Sequence, residues 1–144
     1  MKFRIYLDNC SFNRPYDDQS FLTTYLESEA KLFIQNEILL GRFELVWSYI
    51  LDFENSMNPY SDRKAAIAGW RIISVIDVAP SLEIFECASH IMMKDVKKKD
   101  ALHLACAITA ECQYFLTTDK KLLNKSFDEI TIMNPLDFIR KMEV

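Results

Sequence analysis

The sequence predicts an α/β fold, a three-layer α/β/α sandwich with a mostly parallel central sheet. Short apolar segments with strand character alternate with longer segments of helical period, and such alternation requires crossover connections between parallel strands. Only two glycines and four prolines occur in 144 residues, which is too few turn formers for an all-β sandwich. Half of the residues are hydrophobic and 26% are charged, as in one folded domain spanning residues 1–144.

Two different spacings of apolar residues predict the first strand and the first long helix. Apolar and polar side chains alternate over residues 3–7, which indicates a strand that ends at Asp8. We expect a polar loop at residues 13–18. From Ser20, an N-cap candidate, apolar residues recur at helical spacing until Gly41, and glycine is typical just after a helix. This segment is therefore predicted to be a long amphipathic helix.

The rest of the chain continues the alternation. Ser48 is a second N-cap candidate, and the helix that it opens is expected to end before Pro59, since residues before proline avoid helical conformation. The segment 100–112 is apolar on nearly all sides, which predicts a buried helix. The other predicted strands are residues 43–47, 75–78, 114–117 and 130–133. The other predicted helices are residues 62–74, 80 to about 95 with Pro80 near its start, 120–124, and the segment from Pro135 onwards.

Charge and cysteine usage exclude several classes of protein. With 17 basic and 21 acidic residues the formal net charge is −4, so overall charge does not attract nucleic acid. The four cysteines form no CxxC pair and lie mostly among apolar residues, which argues against a zinc site or a disulfide framework. Arg4 and Asp8 interrupt what would be the apolar part of a signal peptide, and no apolar run could span a bilayer. We therefore expect a soluble cytoplasmic protein that does not contact a membrane.

Three acidic residues stand at strand ends or on an apolar stripe. Asp8 and Asp119 follow predicted strands, and ligands of open parallel sheets bind at the carboxyl ends of strands. Glu54 lies seven residues after Trp47, at the next position of the helical stripe that faces the core. A carboxylate there is unfavourable unless it is paired or bound to a metal. The alternative is a stripe that ends at Leu51 and leaves Glu54 half exposed. Asp52 falls on the opposite face, where we expect it to be solvated and to point away from any site.

Asp100 opens the apolar helix and follows three lysines. An N-cap is the simple structural explanation for an aspartate at this place. It does not explain Lys97, Lys98 and Lys99, because cations at a helix N-terminus oppose the helix dipole. Seven lysines stand against four acids over residues 94–125, so the chain has a local basic region despite its negative total. A solvated lysine surface and a binding surface are both compatible with this pattern.

A divalent cation would offset the charge repulsion between four converging carboxylates. Like charges at short range repel one another or raise each other's pKa. Mg²⁺ and Mn²⁺ bind oxygen ligands and complete their coordination with water and substrate phosphate. One or two such ions at Asp8, Glu54, Asp100 and Asp119 would activate water for attack on a phosphodiester, which is nuclease chemistry.

The ordered motifs resemble those of the PIN-domain (PilT N-terminus) family of metal-dependent ribonucleases, which includes VapC-type toxins of toxin–antitoxin pairs. The matching motifs are Leu7-Asp8-Asn9, Asn13-Arg14-Pro15-Tyr16-Asp17-Asp18, Ser48 six residues before Glu54, Asp100-Ala101-Leu102-His103, Thr117-Thr118-Asp119 and Asn134-Pro135. The resemblance implies that the four acids are the metal-binding positions, that the substrate is RNA, and that cleavage leaves 5′-phosphate and 3′-hydroxyl ends. It leaves two roles open, a toxin paired with an antitoxin protein and a solitary nuclease, because the long segment 9–19 departs from the compact toxin form.

The chain departs from the family pattern at two further places. Cys10 stands where a small hydroxyl or amide residue is usual, and residues 121–123 carry no further acid one turn beyond Asp119. The residues expected to contact RNA are Asn9, Ser11, Arg14, Lys97, Lys98, Lys99, Thr118, Lys120 and Lys121. For Arg14, an ordinary surface arginine is the more frequent explanation of such a residue.

Two other functions and one mode of assembly fit the same residues. A PIN-like module that binds RNA or protein without catalysis would keep the fold, although it would not need a repulsive acidic cluster. A receiver-type phosphoacceptor domain also places an aspartate after a parallel strand, but it requires a further acid pair there. The long helix from Ser20 and the segment around Trp70 carry large apolar residues, which suggests a homodimer.

Overall fold

The computed structural model describes residues 2–143. The strands are β1 (Phe3–Leu7), β2 (Phe43–Ser48), β3 (Ile76–Val78), β4 (Tyr114–Leu116) and β5 (Thr131–Met133). The helices are α1 (Asn9–Asn13), α2 (Leu22–Leu39), α3 (Tyr49–Ser56), α4 (Ser61–Ala68), α5 (Trp70–Ile73), α6 (Leu82–Met92), α7 (Lys98–Thr109), α8 (Lys120–Leu123) and α9 (Pro135–Met142), with a 3₁₀ helix at Arg14–Tyr16 after α1. None of these helices is both long enough and apolar enough to cross a membrane.

The five strands form one parallel sheet in the order β3-β2-β1-β4-β5. The predicted α/β/α class is confirmed, and every predicted strand lies within one residue of its observed bounds. The receiver-type alternative is wrong, because receiver domains have the strand order 2-1-3-4-5. β1 is the central strand, so the residue that follows it emerges at the middle of the sheet edge.

Helices cover both faces of the sheet, as the alternation of side chains along β1 illustrates. Tyr6 lies on one face, where its ring centroid is 5.6 Å from that of His103 in α7. Phe3 lies on the other face, 5.4 Å from Tyr114, and Tyr114 is in turn 5.1 Å from Phe138 of α9. The sheet is therefore buried on both sides, as parallel sheets usually are.

The segment after β1 differs from its predicted loop. Asp8 accepts a hydrogen bond from the backbone N–H of Asn9 and caps α1, and Pro15 lies at the start of the 3₁₀ helix. A capping aspartate and a proline with its φ already fixed therefore make most of this segment helical. Ser20 is not the N-cap of the long helix either. Its N–H bonds to Asp18, and α2 begins two residues later at Leu22.

Two helix boundaries also differ. The predicted helix 62–74 is broken at Gly69 into α4 and α5, because glycine is a poor helix former. The N-cap explanation for Asp100 is wrong, since α7 begins at Lys98 and the capping position is Lys97, whose side chain makes no capping bond. Asp100 lies inside the first turn instead. There its carboxylate faces the positive end of the helix dipole.

The cysteines are free thiols, as the sequence predicts. Burial raises the pKa of Cys106 and of Cys112 to about 12. Both are therefore neutral at physiological pH and serve as small packing residues rather than as nucleophiles or metal ligands.

Candidate functional site

The cleft lies where β1 and β4 end side by side. The chain leaves β1 towards β2 on one side of the sheet and leaves β4 towards β5 on the other. Such a topological switch point opens a crevice at the carboxyl edge. Asp8 follows β1 directly, and Asp119 follows β4 as the N-cap of α8, accepting a hydrogen bond from the N–H of Lys121.

All four predicted acids line one open cleft of about 440 Å³. They reach it from four different segments: Asp8 from β1, Glu54 from α3, Asp100 from α7, and Asp119 from the start of α8. Asp52, as expected, is not among the residues that line it. It is not simply solvated, however, because its Oδ1 accepts a hydrogen bond of 2.8 Å from the indole Nε1 of Trp47.

Asp8 is held by both of its carboxylate oxygens. It is 6% exposed. Its Oδ1 accepts from the N–H of Asn9 at 2.8 Å, and its Oδ2 accepts from the hydroxyl of Thr117 at 2.9 Å. The Thr117 oxygen also accepts from the N–H of Asp119 at 3.1 Å. Thr117 thus links Asp8 and Asp119 by hydrogen bonds. The sequence motif did not predict this role for it.

Cys10 lies beside this pair. Its sulfur is 3.4 Å from Oδ2 of Asp8 and 3.2 Å from the hydroxyl oxygen of Thr117. Burial and then the negative charge of Asp8 raise the Cys10 pKa to about 12. The side chain is therefore a neutral S–H donor to Asp8, so it fulfils part of the role expected of the hydroxyl residue that it replaces.

Glu54 is oriented by a buried chain of hydrogen bonds that the sequence did not predict. Its Oε1 contacts Nε2 of His103, and Nδ1 of His103 lies 2.5 Å from the hydroxyl of Tyr6. That hydroxyl is 2.6 Å from Oγ of Ser48. His103 is 1% exposed and is one turn beyond Asp100 on α7. This one-turn spacing was the available signal, but a lone histidine on an apolar helix is usually a core residue.

The site is electrostatically unfavourable in the absence of a cation. The pKa of Asp100 is raised by its partial burial, and next by the negative charges of Asp8 and Asp119. His103 acts in the opposite direction. Repulsion of this kind is what a bound cation would relieve.

The donor atoms fit a divalent ion. One ligand atom each from Asp8, Glu54 and His103 lie within 4.8 Å of one another, which is a spacing that one ion can bridge. Carboxylate oxygens suit Mg²⁺ and Mn²⁺, and an imidazole nitrogen favours the transition metal. Asp100 and Asp119 line the same cleft but are not part of this tight set.

Part of the predicted lysine surface lies at the site. Lys97 and Lys121 line a cavity of about 220 Å³ together with Asp100 and Asp119. Lys125 belongs to the predicted basic region but not to the predicted RNA contacts, and it lines the cavity too. The remaining predicted lysines, Lys98, Lys99 and Lys120, are exposed but do not line this cavity.

The other predicted RNA contacts have different surroundings. Ser11 is fully buried and its hydroxyl donates to the carbonyl of Leu116, so the prediction that it contacts substrate is wrong. The helical turn after Asp8 points this side chain inward. The guanidinium of Arg14 is engaged by the buried Glu27 at 2.7 Å and by Asp17 at 3.2 Å, which is a structural ion-pair role.

Asn9 lines the cleft, and Thr118 lies beside it through its contact with Cys10. The side-chain amide of Asn9 lies 3.4 Å from Oε2 of Glu54. Thr118 is half-buried, and its backbone N–H donates to the sulfur of Cys10 at 3.4 Å. Both residues therefore adjoin the acidic cluster.

Comparison with known proteins gives a structural likeness only. The sequence matches no model of a known family and none of the curated proteins. Its structure is similar to a chain in the crystal structure of VapBC2 from Rickettsia felis bound to a DNA fragment from their promoter, with a TM-score of 0.54. The similarity covers 92% of this chain and 98% of that chain at 12% sequence identity. At such low identity the likeness establishes the fold alone.

Proposed function

We propose that this protein is a metal-dependent endoribonuclease of the PIN-domain type, a single domain that hydrolyses RNA phosphodiesters with Mg²⁺ or Mn²⁺. The observation that carries the proposal is the convergence of Asp8, Glu54, Asp100 and Asp119 in one cleft at the switch point of a parallel sheet. Four carboxylates from four segments have no mutual attraction that would gather them. A cation bound between the four carboxylates would explain why they lie together.

The residues of the cleft divide into those that hold the ion and those that hold the ligands in place. Asp8 and Glu54 supply the first ligands, with the imidazole of His103 directly behind Glu54. Thr117 and the N–H of Asn9 fix the orientation of Asp8. One or two ions bound here would activate water for in-line attack and neutralise the charge that develops on the phosphate.

The other wall of the cleft carries both acidic and basic side chains. Asp100 and Asp119 complete the acidic set, and Lys97 and Lys121 lie beside them. We assign these lysines to the RNA backbone, since phosphate contacts by lysine supply most of the sequence-independent affinity for nucleic acids. The lysines thereby offset the repulsion between the acidic cleft and a polyanionic substrate.

We further infer that the enzyme is the toxin of a toxin–antitoxin pair and acts in the cytoplasm. Support comes from the structural likeness to a chain of the VapBC2 complex, and from the motif resemblance to VapC-type toxins. Exposed apolar side chains on and next to α2, including Phe21, Leu22 and Phe33, provide area for an antitoxin or for a second copy of the chain.

The experiment compares Glu54→Gln with Asp52→Asn on single-stranded RNA in the presence of Mn²⁺. Both variants remove one carboxylate from α3, but only Glu54 lines the cleft. We expect Glu54→Gln to lose activity by two orders of magnitude or more and Asp52→Asn to retain it. Cleavage that persists in excess chelator, or products with 2′,3′-cyclic phosphate ends, would contradict the proposal and favour the inactive binding module.

A further inference from the structure

A second cavity opens from the acidic cleft on the side of Glu54. Its volume is about 350 Å³, within the range of small-ligand pockets, which is roughly 300–1,000 Å³. Asn9 and Glu54 line both this cavity and the cleft, so the two spaces are continuous. Within the part of the chain that the structure describes, no lysine lines this second cavity. Lys97 and Lys121 line the other cavity, beside Asp100 and Asp119.

The wall of the pocket carries two tyrosines and an arginine in a stack. The guanidinium carbon of Arg63 lies 3.9 Å from the ring centroid of Tyr60 and 4.9 Å from that of Tyr16. Tyr60 is 53% exposed and Tyr16 is 40% exposed. Aromatic rings and guanidinium planes that remain open to solvent are the surfaces on which single-stranded nucleic acids stack their bases.

The pocket also contains a polar group without a partner. Asn55 is 5% exposed, and its Nδ2 donates to the carbonyl of Lys64 at 2.9 Å. Its Oδ1 has no hydrogen-bond partner among the residues that the structure describes. An unpaired buried acceptor is costly. Less than 1 Å² of this oxygen is exposed, so the Asn55 side chain has to turn towards the pocket before an incoming N–H group can satisfy it. The exocyclic amino and ring N–H groups of nucleobases are donors of this kind.

Charge decides which part of a nucleotide fits here. The carboxylates of Asp17 and Glu54 outnumber the single guanidinium of Arg63 in the pocket, so an uncharged base is favoured there over a phosphate. Phosphates would be favoured on the lysine side of the cleft instead. A strand that crosses the acidic cluster would therefore place a base on one side and its backbone on the other.

We propose that this pocket binds one unpaired base of the RNA substrate, stacked on the Tyr60–Arg63 surface, and so makes RNA binding depend on the presence of a base at that position. This inference rests on the proposed nuclease function, because it identifies the ligand as RNA. It adds a specificity determinant that the acidic residues do not supply.

The test uses fluorescein-labelled single-stranded RNA heptamers in which each position in turn lacks its base, with affinity measured by anisotropy in the presence of chelator. Wild-type protein should lose about 5- to 150-fold in affinity at one abasic position, the range found for one stacked base. Tyr60→Leu should bind intact RNA with that same loss and be indifferent to the abasic position. Tyr60→Phe keeps the ring and should bind like the wild type.

The matched control is Tyr25→Leu, which removes an exposed tyrosine of α2 that does not line the pocket. If Tyr60→Leu fails to fold, as judged by circular dichroism, Arg63→Met tests the same surface. Equal affinities of Tyr60→Leu and Tyr25→Leu, or a wild type indifferent to every abasic position, would overturn the proposal. Base-dependent binding without cleavage in Mn²⁺ would instead refute the nuclease function and leave the pocket standing.

Discussion

Replacement of Asp8 by asparagine separates the charge of the site from its shape. Asparagine has nearly the same volume, and it is as good an N-cap as aspartate, so the bond from the N–H of Asn9 and the start of α1 should survive. The bond from Thr117 to Oδ2 loses its charged acceptor. The substitution removes one negative charge that lies within 4.8 Å of the Glu54 carboxylate.

The energies involved can be derived from the geometry. The ligand oxygens of Asp8 and Glu54 lie within 4.8 Å, and two unit charges at that separation repel by about 3.5 kcal/mol at an effective dielectric constant near 20. Weakening the two hydrogen bonds that Oδ2 accepts from the Thr117 hydroxyl and the Cys10 S–H costs about 1–2 kcal/mol in total. We therefore expect the free energy of unfolding of Asp8→Asn, measured in chelator, to equal or exceed that of the wild type. Activity should fall by about 10²- to 10⁴-fold, because one ligand of the ion is lost.

Thermal unfolding with and without Mn²⁺ provides the second measurement. A ligand at 100 times its dissociation constant stabilises the folded state by about 2.7 kcal/mol. Wild type and Asp52→Asn should show this stabilisation, and Asp8→Asn should show little of it. Full activity of Asp8→Asn, or equal stabilisation of all three proteins by Mn²⁺, would refute the assignment of Asp8 as a metal ligand.

Three further predictions concern other parts of the molecule. Replacing both Lys97 and Lys121 by alanine should lower the slope of log affinity for single-stranded RNA against log salt by about 1.4, whereas alanine at the distant Lys141 should not change it. Tyr6→Phe should reduce the free energy of urea unfolding by about 1–3 kcal/mol and lower kcat with KM unchanged, since it breaks the buried chain behind Glu54. Burial lowers the pKa of Lys31 from 10.5 to about 8, so the unfolded state binds more protons between these values. Lys31→Met should therefore be up to about 3 kcal/mol more stable than the wild type at pH 7, and urea unfolding should show this difference shrinking from pH 8 to 10.5. The control is Lys141→Met, which removes an exposed lysine of α9.

Elements marked by a local signal were predictable from the sequence. Ser48 does cap α3, because its Oγ accepts from the N–H of Leu51, and Gly41 does follow α2 with a φ of 76° that other residues rarely adopt. The alternation along residues 3–7 gave β1 correctly. Each of these features depends on neighbours within a few positions of the chain.

Features that depend on tertiary contacts were not predictable in this way. His103 reaches Glu54 only because α3 and α7 come together above the same strand, 49 residues apart in sequence. The ion pair of Arg14 with Glu27 likewise depends on how α2 packs against the 3₁₀ helix. Asp8, Glu54 and Asp119 were identifiable because strand ends and stripe positions are local properties. Their partners are set by the packing of separate elements.

The buried chain behind Glu54 bears on whether the cleft is catalytic or only a binding surface. Ser48 both caps the helix that carries Glu54 and contacts the hydroxyl of Tyr6, which in turn contacts His103. The backbone and the carboxylate of Glu54 are therefore fixed by the same group of buried side chains. A surface that only attracts RNA needs positive charge and has no use for an oriented carboxylate, whereas ligands of a reactive ion must be held in place by supporting hydrogen bonds. Three buried polar residues thus hold one acidic side chain in a fixed orientation, which favours catalysis over binding alone.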